Sequence, residues 1–517
     1  MRGYRSLRET GKLRRIAAVK EALTITPVFA SKRDSEVFVG VSGTAFEIAA
    51  RQFLLVRLVG TGLGEALLIS IGRRNAPVVY PLPGPWRKIL RDHGFPVAEY
   101  MSAFLWLCVV ALYLASGIFV ILKLAMADVR HLLQRGNSEL KRHVYFDALG
   151  PGNLPPSVGG GEKYDIVSWY LHWPGRAAAL DTACHNVVAG GMRQSDGIAV
   201  IPVASPLLPF AGIRSLGRFL VASSISFGKA LLGAMAGHWW HSMMLGETAK
   251  AAHVRLQSPA LLARDYLFHN SNWIYRPLWT YEAERLGARV LFYFYSTNNE
   301  QFKQSGIYPD LLYGWKIMTW SKFLVWDDYQ EAFIRRAVGD AAEVNIVGSV
   351  SFHSGVPVPL DLPACGVAVF DVQPMRDAVY QPLGIGIEYY VPRNANSFLL
   401  DIQEAAASAA RVMVLKRKRD VGNRVHPDYE RTTRSLGCVA NCLEVDPDIS
   451  ATALIEKCHA VISTPFTSTA LLGREQGKPS VYYDPHGICE KDDRAAHGIP
   501  ILSGKAELKE WLLSLPS

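Results

Sequence analysis

Short continuous hydrophobic runs alternate with helix-length amphipathic segments over the last third of the chain. Strands are predicted in "GVAVFDVQP", "RVMVL", "CLEVDP", "AVIST" and "PSVYY", with helices between them. The apolar residues follow one another instead of alternating with polar ones, which is typical of strands buried on both faces. Strand and helix in strict succession predict a parallel sheet with helices packed on both sides.

The middle of the chain repeats this pattern less regularly. Strands are predicted at 143–149, 164–173, 197–204, 289–297, 322–328 and 343–350. A proline-rich segment without periodicity, 351–365, is predicted to be a hinge between two α/β units. We therefore predict two Rossmann-like domains. The expected organisation is a basic N-terminal α/β portion (1–100), a hydrophobic helix (101–127), the rest of the N-terminal domain (128–355) and a C-terminal domain (366–517).

One segment departs from the pattern of a soluble protein. Met101–Ala127 contains a single charged residue, Lys123, and is long enough to cross a bilayer, although a buried core helix is the alternative. A second apolar stretch, 217–244, is interrupted by charged and histidine residues and suggests an in-plane, re-entrant or packed amphipathic helix. Basic residues flank the first segment on both sides, so the sequence leaves the membrane orientation open.

Composition points to an anionic partner. The 517 residues carry a formal net charge of +9, and basic residues concentrate near the N-terminus, at 73–91 and at 415–420. This distribution favours an acidic membrane surface or a phosphate-bearing ligand over nucleic acid. The seven cysteines lack metal-ligand spacing, which predicts reduced thiols, a cytoplasmic setting and no metal site.

Hydroxyl groups are concentrated at one predicted strand-to-helix turn, in "VISTPFTSTALLG". Unpaired backbone N–H groups at a helix start attract phosphate, and hydroxyls add further donors. We predict a donor-phosphate site formed by Ser463, Thr464, Thr467, Ser468 and Thr469. Ordinary helix capping is the alternative, but it requires only one of these hydroxyls.

A basic run follows the neighbouring predicted strand. Lys416, Lys418 and Arg419 are predicted to balance diphosphate charge, although a solvated surface run is the alternative. His426, just beyond, is a further candidate for a phosphate or sugar contact, or simply a residue that begins a helix before Pro427.

Acidic residues end two other predicted strands. Asp371 and Asp147 are the candidates for a catalytic base, with a turn-forming role as the alternative. In the same predicted domain as Asp147 (128–355), an aromatic strand is followed by Ser296, Thr297, Asn298 and Asn299. This combination is suited to recognition of an acceptor sugar, although an ordinary strand end with a capping Asn is the alternative.

These segments resemble a known family. Pro465, Phe466, Thr467 and Ser468 match the motif of the bacterial polysaccharide biosynthesis PFTS motif proteins, and "VFDVQP", "EYYVP", "LKRKR", "YYDP", "FYFYSTN" and "VWDD" extend the likeness. The arrangement is also similar to two-domain GT-B glycosyltransferases. This resemblance implies surface polysaccharide assembly of the capsule or O-antigen type, with a nucleotide sugar (UDP, GDP or CMP) held by the C-terminal domain.

We therefore expect a glycosyltransferase at the cytoplasmic face of the inner membrane. Its expected partners are a nucleotide sugar, a lipid-linked glycan acceptor and membrane lipids, without nucleic acid and without a permanently bound cofactor. Two alternatives remain: a non-catalytic scaffold or polymer-handling component of an assembly complex, and a sugar-phosphate transferase.

Overall fold

A computed structural model describes residues 12–26, 43–73, 75–133, 142–150, 153–155, 166–187, 191–270, 275–297, 299–350, 362–363, 365–376, 389–417, 422–447 and 449–516. The predicted hinge lies almost entirely outside these residues. The described parts form two α/β domains, each built on its own sheet, and the loops between them are in direct contact.

The N-terminal domain contains an eight-stranded sheet in the order β3-β4-β2-β1-β5-β6-β7-β8. All neighbouring pairs are parallel except β3 with β4. The strands are β1 (His143–Phe146), β2 (Thr182–His185), β3 (Arg193–Ser195), β4 (Ile198–Pro202), β5 (Asp265–His269), β6 (Arg289–Tyr293), β7 (Lys322–Val325) and β8 (Glu343–Ile346).

The C-terminal domain contains a fully parallel six-stranded sheet in the order β11-β10-β9-β12-β13-β14. Its strands are β9 (Gly366–Phe370), β10 (Val412–Lys416), β11 (Cys442–Val445), β12 (Ala460–Ser463), β13 (Ser480–Asp484) and β14 (Ile501–Ser503). Every residue of β9 and β12 is buried, as the continuous apolar runs predicted.

Helices cover these sheets and form a separate layer near the N-terminus. They are α1 (Lys12–Ile25), α2 (Gly43–Leu58), α3 (Thr61–Gly72), α4 (Gly84–Asp92), α5 (Glu99–Leu133), α6 (Ile166–His172), α7 (Ile213–Met235), α8 (Trp239–Met243), α9 (Leu245–Arg255), α10 (Leu278–Arg285), α11 (Tyr313–Lys316), α12 (Asp328–Ala337), α13 (Pro392–Ser408), α14 (Pro427–Leu436), α15 (Ala451–Lys457), α16 (Ser468–Glu475) and α17 (Gly504–Ser514).

The predicted fold class, two parallel α/β domains with a long apolar helix, is confirmed. One strand prediction was wrong: much of 164–173 is the helix α6, with Ile166, Val167 and Tyr170 buried. A short apolar run does not distinguish a strand from a buried helix by periodicity. In the N-terminal portion, Val78 and Val97 form an isolated parallel bridge outside both sheets.

The long apolar helix α5 lies along the N-terminal domain. Its buried residues form one stripe that extends from Ser102 to Asp128, while the opposite face is exposed. The stripe packs mainly on α9, and a Cβ added to Gly117 would lie 2.7 Å from the Cβ of Leu245. At the other end of the stripe, the Asp128 carboxylate accepts hydrogen bonds from the Phe210 amide and the buried His253 ring. Between Ser102 and Asp128, one stripe of α5 is therefore attached to a domain that also contains a β-sheet.

Replacing Gly117 with valine is expected to separate α5 from α9. The added atoms overlap Leu245, so we expect a loss of about 1–3 kcal/mol in unfolding free energy. Gly228→Val on α7 is the matched control, because nothing lies within 4 Å of a Cβ there. Urea unfolding of both variants checks the prediction, and equal midpoints would show that α5 is not packed at this crossing.

Candidate functional site

The two central strands of the C-terminal sheet, β9 and β12, meet at its topological switch point. The chain leaves β9 toward β10 on one side and returns to β12 on the other. The two strands are in register, with Ser463 opposite Phe370, and the Thr464 amide donates to the Phe370 carbonyl at 2.9 Å. In open parallel sheets, ligands bind in the crevice at the carboxyl ends of such strands. The sequence-predicted Asp371 and hydroxyl-rich turn therefore come together here.

The hydroxyl groups of this turn bond partly to one another. The Ser463 hydroxyl lies 2.8 Å from that of Thr469, and the Thr467 hydroxyl donates to the Thr464 carbonyl at 2.8 Å. Ser463 and Thr464 are buried, whereas Thr467, Ser468 and Thr469 are partly exposed. Thr467 is the N-cap of α16 but makes no side-chain capping bond. The turn thus presents the open N-terminus of α16 together with hydroxyls, which is a suitable environment for an anion.

The aromatic residue of the motif holds the turn in place. Phe466 has a positive φ of 64°, a conformation that is costly for a bulky side chain. Its ring is buried and packs edge-on against Phe302 of the other domain, with 4.6 Å between ring centroids. The Tyr482 hydroxyl also donates to the Thr467 carbonyl at 2.8 Å. These contacts keep a strained backbone at the switch point and tie it to the N-terminal domain.

Asp371 is a buried carboxylate directly after β9. It is 4% exposed, its Oδ2 accepts a hydrogen bond from the Tyr429 hydroxyl, and its Oδ1 has no partner among the described residues. Burial raises the pKa of Asp371 to about 6, against the opposing effects of the Tyr429 hydrogen bond and the Arg417 charge. A buried oxygen without a partner at a switch point is suited to a ligand hydroxyl.

The two described basic residues at the end of β10 bond to groups on the side of the sheet away from the hydroxyl-rich turn. The Lys416 ammonium is largely buried and donates to the Pro447 carbonyl at 3.0 Å, and Arg417 pairs with Glu444. Both therefore contact the loop and strand β11 on the side away from β12. Lys418 and Arg419 lie outside the described residues.

His426 begins α14. Its backbone amide bonds to the Pro374 carbonyl at 2.9 Å, and its Nδ1 accepts from the Asp428 amide at 3.2 Å. The residue thus caps its own helix, which is the structural alternative raised by its position before Pro427. The same backbone bond places it beside the loop that follows Asp371.

The N-terminal sheet has its own switch point, between β1 and β5. Asp147 follows β1, and its amide donates to the Leu267 carbonyl of β5 at 2.9 Å. His269, at the end of β5, lies 3.3 Å from the Ala148 carbonyl, and burial lowers its pKa, so that the ring is neutral at physiological pH. A carboxylate and a neutral imidazole therefore share this edge.

Two further polar residues, Tyr293 and His185, lie at the same carboxyl edge of the sheet. The Tyr293 hydroxyl and the Nε2 atom of His185 are buried and have no hydrogen-bond partner among the described residues. Burial, reinforced by the charge of Arg193, lowers the pKa of His185 to about 4. Both residues end strands of the sheet whose strand β1 leads to Asp147, so this carboxyl edge contains buried polar groups that the described residues leave without a partner.

The predicted acceptor-side residues follow β6. The backbone carbonyl of Ser296 accepts a hydrogen bond from the Gln330 side chain at 3.2 Å, and the backbone carbonyl of Thr297 accepts one from the Asn299 backbone amide at 2.8 Å. Asn298 lies outside the described residues. The next residue, Asn299, is buried, and neither atom of its amide group has a partner among the described residues.

The carboxyl edges of the two sheets face each other across an interdomain seam. Asp327, which follows β7, bonds to the buried ring of His497 at 2.7 Å. Burial works to raise the pKa of Asp327, but the His497 hydrogen bond and charge hold it below its usual value. The backbone amide of Lys303 donates a hydrogen bond to the Asp493 carboxylate at 2.8 Å, and its ammonium donates one to the Asp492 carboxylate at 2.6 Å. Loops of the two domains are thus bonded directly to each other along this seam.

Sequence reasoning missed His185, His269 and Tyr293, whereas Asn299 belongs to the polar cluster predicted after the aromatic strand. The signal for the two histidines was present, since "TACH" and "DYLFH" are apolar runs that end in histidine. These runs were not predicted as strands, so their last residues were not placed on the edge with Asp147. Tyr293 lies inside a predicted strand, where no pattern distinguished it from its aromatic neighbours.

Comparison with known proteins gives a family and several distant structural neighbours. The family model for polysaccharide biosynthesis PFTS motif proteins matches residues 229–512. No curated protein matches the sequence.

Three of the similar solved structures illustrate the neighbours. The UDP-GlcNAc 2-epimerase of Methanocaldococcus jannaschii is 7% identical, with 72% of this chain and 92% of that chain covered and a TM-score of 0.35. An α,α-trehalose-phosphate synthase (UDP-forming) of Burkholderia vietnamiensis is 13% identical, with 73% and 91% covered and a TM-score of 0.35. A variant of the wall teichoic acid polymerase TagF is 10% identical, with 76% and 88% covered and a TM-score of 0.34.

The family match includes the end of α7, the second half of the N-terminal sheet and nearly all of the C-terminal domain. It therefore contains the PFTS turn, Asp371 and the interdomain seam, and it extends over more than half of the chain. The protein belongs to the family of polysaccharide biosynthesis PFTS motif proteins.

Proposed function

We propose that the protein is a glycosyltransferase that transfers a sugar from a nucleotide donor to a lipid-linked glycan at the cytoplasmic face of the inner membrane. The capsule or O-antigen type of surface polysaccharide is the proposed product class. The observation that carries this proposal is the meeting of the PFTS turn and Asp371 at the switch point of a parallel sheet, opposite a second polar sheet edge.

The donor is proposed to bind to the C-terminal domain. Its diphosphate would take the backbone N–H groups at the start of α16 and the hydroxyls of Thr467, Ser468 and Thr469, with Ser463 and Thr464 supporting the turn from below. The Oδ1 atom of Asp371 would accept a donor hydroxyl. Lys418 and Arg419 remain proposed diphosphate ligands. Lys416 is proposed to join them on releasing the Pro447 carbonyl to which its ammonium is bound. His426 is proposed to contact the donor beside the Asp371 loop.

The acceptor is proposed to bind to the edge of the N-terminal sheet. Asp147 would remove the proton from the attacking hydroxyl, and the neutral ring of His269 is close enough in the fold to support or orient that hydroxyl. Ser296, Thr297, Asn298 and the buried amide of Asn299 would contact the acceptor sugar. In this proposal the base belongs to the N-terminal domain, and the diphosphate leaving group of the donor is bound by the C-terminal domain.

The lipid-linked nature of the acceptor is proposed from the apolar surface of the molecule. The helix α5 has a mean hydropathy of 2.6 in its most apolar window, of which 17% is buried. An enzyme held at a membrane by such a surface meets acceptors that are themselves anchored there.

Removing two hydroxyls from the PFTS turn is expected to weaken donor binding. Because hydrogen bonds to a charged group contribute about 1.5–3 kcal/mol each, Thr467→Ala with Ser468→Ala should raise the donor Kd by roughly 10²- to 10⁴-fold. The control is Ser408→Ala with Ser514→Ala, two exposed serines that bond only to their own helices. Isothermal titration calorimetry measures both, and an unchanged Kd in the double variant would remove the turn from the donor site.

The donor and the reaction type are tested with the purified full-length protein. A thermal-shift screen against UDP, GDP and CMP sugars should show stabilisation by one nucleotide class, since a ligand that binds only the folded state raises its melting temperature. A scaffold would respond to none of them. Mass spectrometry of the product then separates glycosyl transfer from sugar-phosphate transfer, because only the latter product keeps a phosphate from the donor.

A further inference from the structure

Two helices give the protein an apolar face outside the catalytic cleft. More than half of the large exposed hydrophobic side chains in the described part of the chain lie on α5 and α7. Phe104 and Phe119 on α5 and Leu232 on α7 are each at least 60% exposed. The two helices pack against each other, so the exposed side chains belong to one continuous surface. A soluble monomer seldom exposes an apolar area of this kind without a partner.

The face is a poor match for a bilayer-spanning segment. The stripe from Ser102 to Asp128 packs on α9, α7 and α8 along nearly the full length of α5. The helix α9 carries the Glu247–Lys250 ion pair and packs on α10 of the sheet domain. Spanning would draw these charged elements into the hydrocarbon core, at a high cost. A position parallel to the surface of one leaflet buries the same apolar residues without that cost.

A basic pocket opens within this face, between α7 and α9. Its volume is about 230 Å³, and Arg218, Lys229 and Arg255 line it together with the apolar side chains of Ile225 and Leu256. Arg255 is also paired with Glu282 at 3.2 Å. Three cationic side chains beside apolar walls match a phosphate that carries hydrocarbon chains.

The pocket lies near the amino edge of the N-terminal sheet. Arg255 ends α9, which leads through a short 3₁₀ turn to the amino end of β5. Its partner Glu282 is in the last turns of α10, just before the amino end of β6. The donor and acceptor groups are at the opposite, carboxyl edge. A phosphate held here is consequently not the one that links the acceptor glycan to its lipid.

We propose that the pocket formed by Arg218, Lys229 and Arg255 binds the headgroup phosphate of an anionic membrane phospholipid, while the exposed residues of α5 and α7 enter the same leaflet. The three cations fix which side of the apolar face meets the headgroups. The protein is thereby held in one orientation on one leaflet. This inference does not depend on the transfer reaction, because it concerns a different edge of the molecule.

Vesicle co-sedimentation of the full chain tests the proposal. Binding to vesicles that contain phosphatidylglycerol should exceed binding to pure phosphatidylcholine and should weaken with added salt. Because each basic residue near an anionic surface contributes about 1 kcal/mol, Arg218→Gln with Lys229→Gln should lower the partition coefficient roughly 30-fold. The control, Arg434→Gln with Lys509→Gln, removes the same charge from exposed positions of the C-terminal domain and should bind like the wild type.

Two further measurements make the outcome unambiguous. Thermal melting must be the same for the double variant and the control, and competition with inorganic phosphate at millimolar concentration should leave vesicle binding intact if the lipid is the ligand. Equal binding of the wild type to neutral and anionic vesicles would overturn the proposal. So would a double variant that binds phosphatidylglycerol vesicles as tightly as the control does.

Discussion

Replacing Asp147 with asparagine is expected to lower kcat for sugar transfer by about 10²- to 10⁴-fold, the range for loss of a general base. Asp147 follows β1 at the switch point of the N-terminal sheet, and its backbone amide donates a hydrogen bond to the Leu267 carbonyl. Asparagine preserves the size of the side chain but cannot accept a proton. The donor Kd should stay within about twofold of the wild-type value, because the proposed donor site is on the other domain.

The matched control is Asp181→Asn. Asp181 is 46% exposed and pairs with Arg142 just before β1 and β2, at the amino edge of the same sheet. Its replacement should leave both kcat and donor Kd unchanged. Single-turnover rates with the identified donor measure the effect. A fully active Asp147→Asn protein would show that a group other than Asp147, such as His269, is the base.

Replacing Asp371 with asparagine is expected to stabilise the folded protein and to weaken donor binding. Burial raises the pKa of Asp371 from the usual 3.8 to about 6, so the folded state holds its proton more tightly than the unfolded state. The ionised form therefore destabilises the fold at neutral pH by about 3 kcal/mol. Asparagine removes this penalty while its oxygen can still accept the Tyr429 hydrogen bond.

The sign of the pH dependence follows from the raised pKa. Below pH 4 the carboxyl is protonated in both states, and the variant should have no advantage. Its advantage should grow between pH 4 and pH 6 and reach its full value above pH 6, with roughly half of it present at pH 5. Urea unfolding at pH 5 and pH 7.5 checks this. A variant that is less stable than the wild type at pH 7.5 would show that the carboxylate is stabilised in the fold.

The functional cost should appear in the same variant. Because the carboxylate is proposed to accept a donor hydroxyl, its neutral replacement should raise the donor Kd by about 10-fold or more. Gain of stability with loss of affinity is the pattern expected where a strained or buried group is kept for function. An unchanged Kd would leave Asp371 as a buried structural residue.

The sequence alone determined the parallel C-terminal sheet. Continuous apolar runs such as "GVAVF" and "AVIS" have to be buried on both faces, and their spacing leaves room for one helix between strands. It also placed Asp371 and the PFTS turn at strand ends, because those residues come directly after the apolar runs. The length of α5 followed from its composition in the same way.

Tertiary structure alone decided which strand ends are neighbours. Strand order sets Ser463 beside Phe370, while Lys416 turns toward β11 and Phe466 reaches the other domain. Packing also decided that α5 lies along α9, since hydropathy measures apolar content but not which side of a helix is covered. The hydrophobic pattern of a segment indicates which of its residues must be buried. The tertiary structure decides which other segments cover those residues.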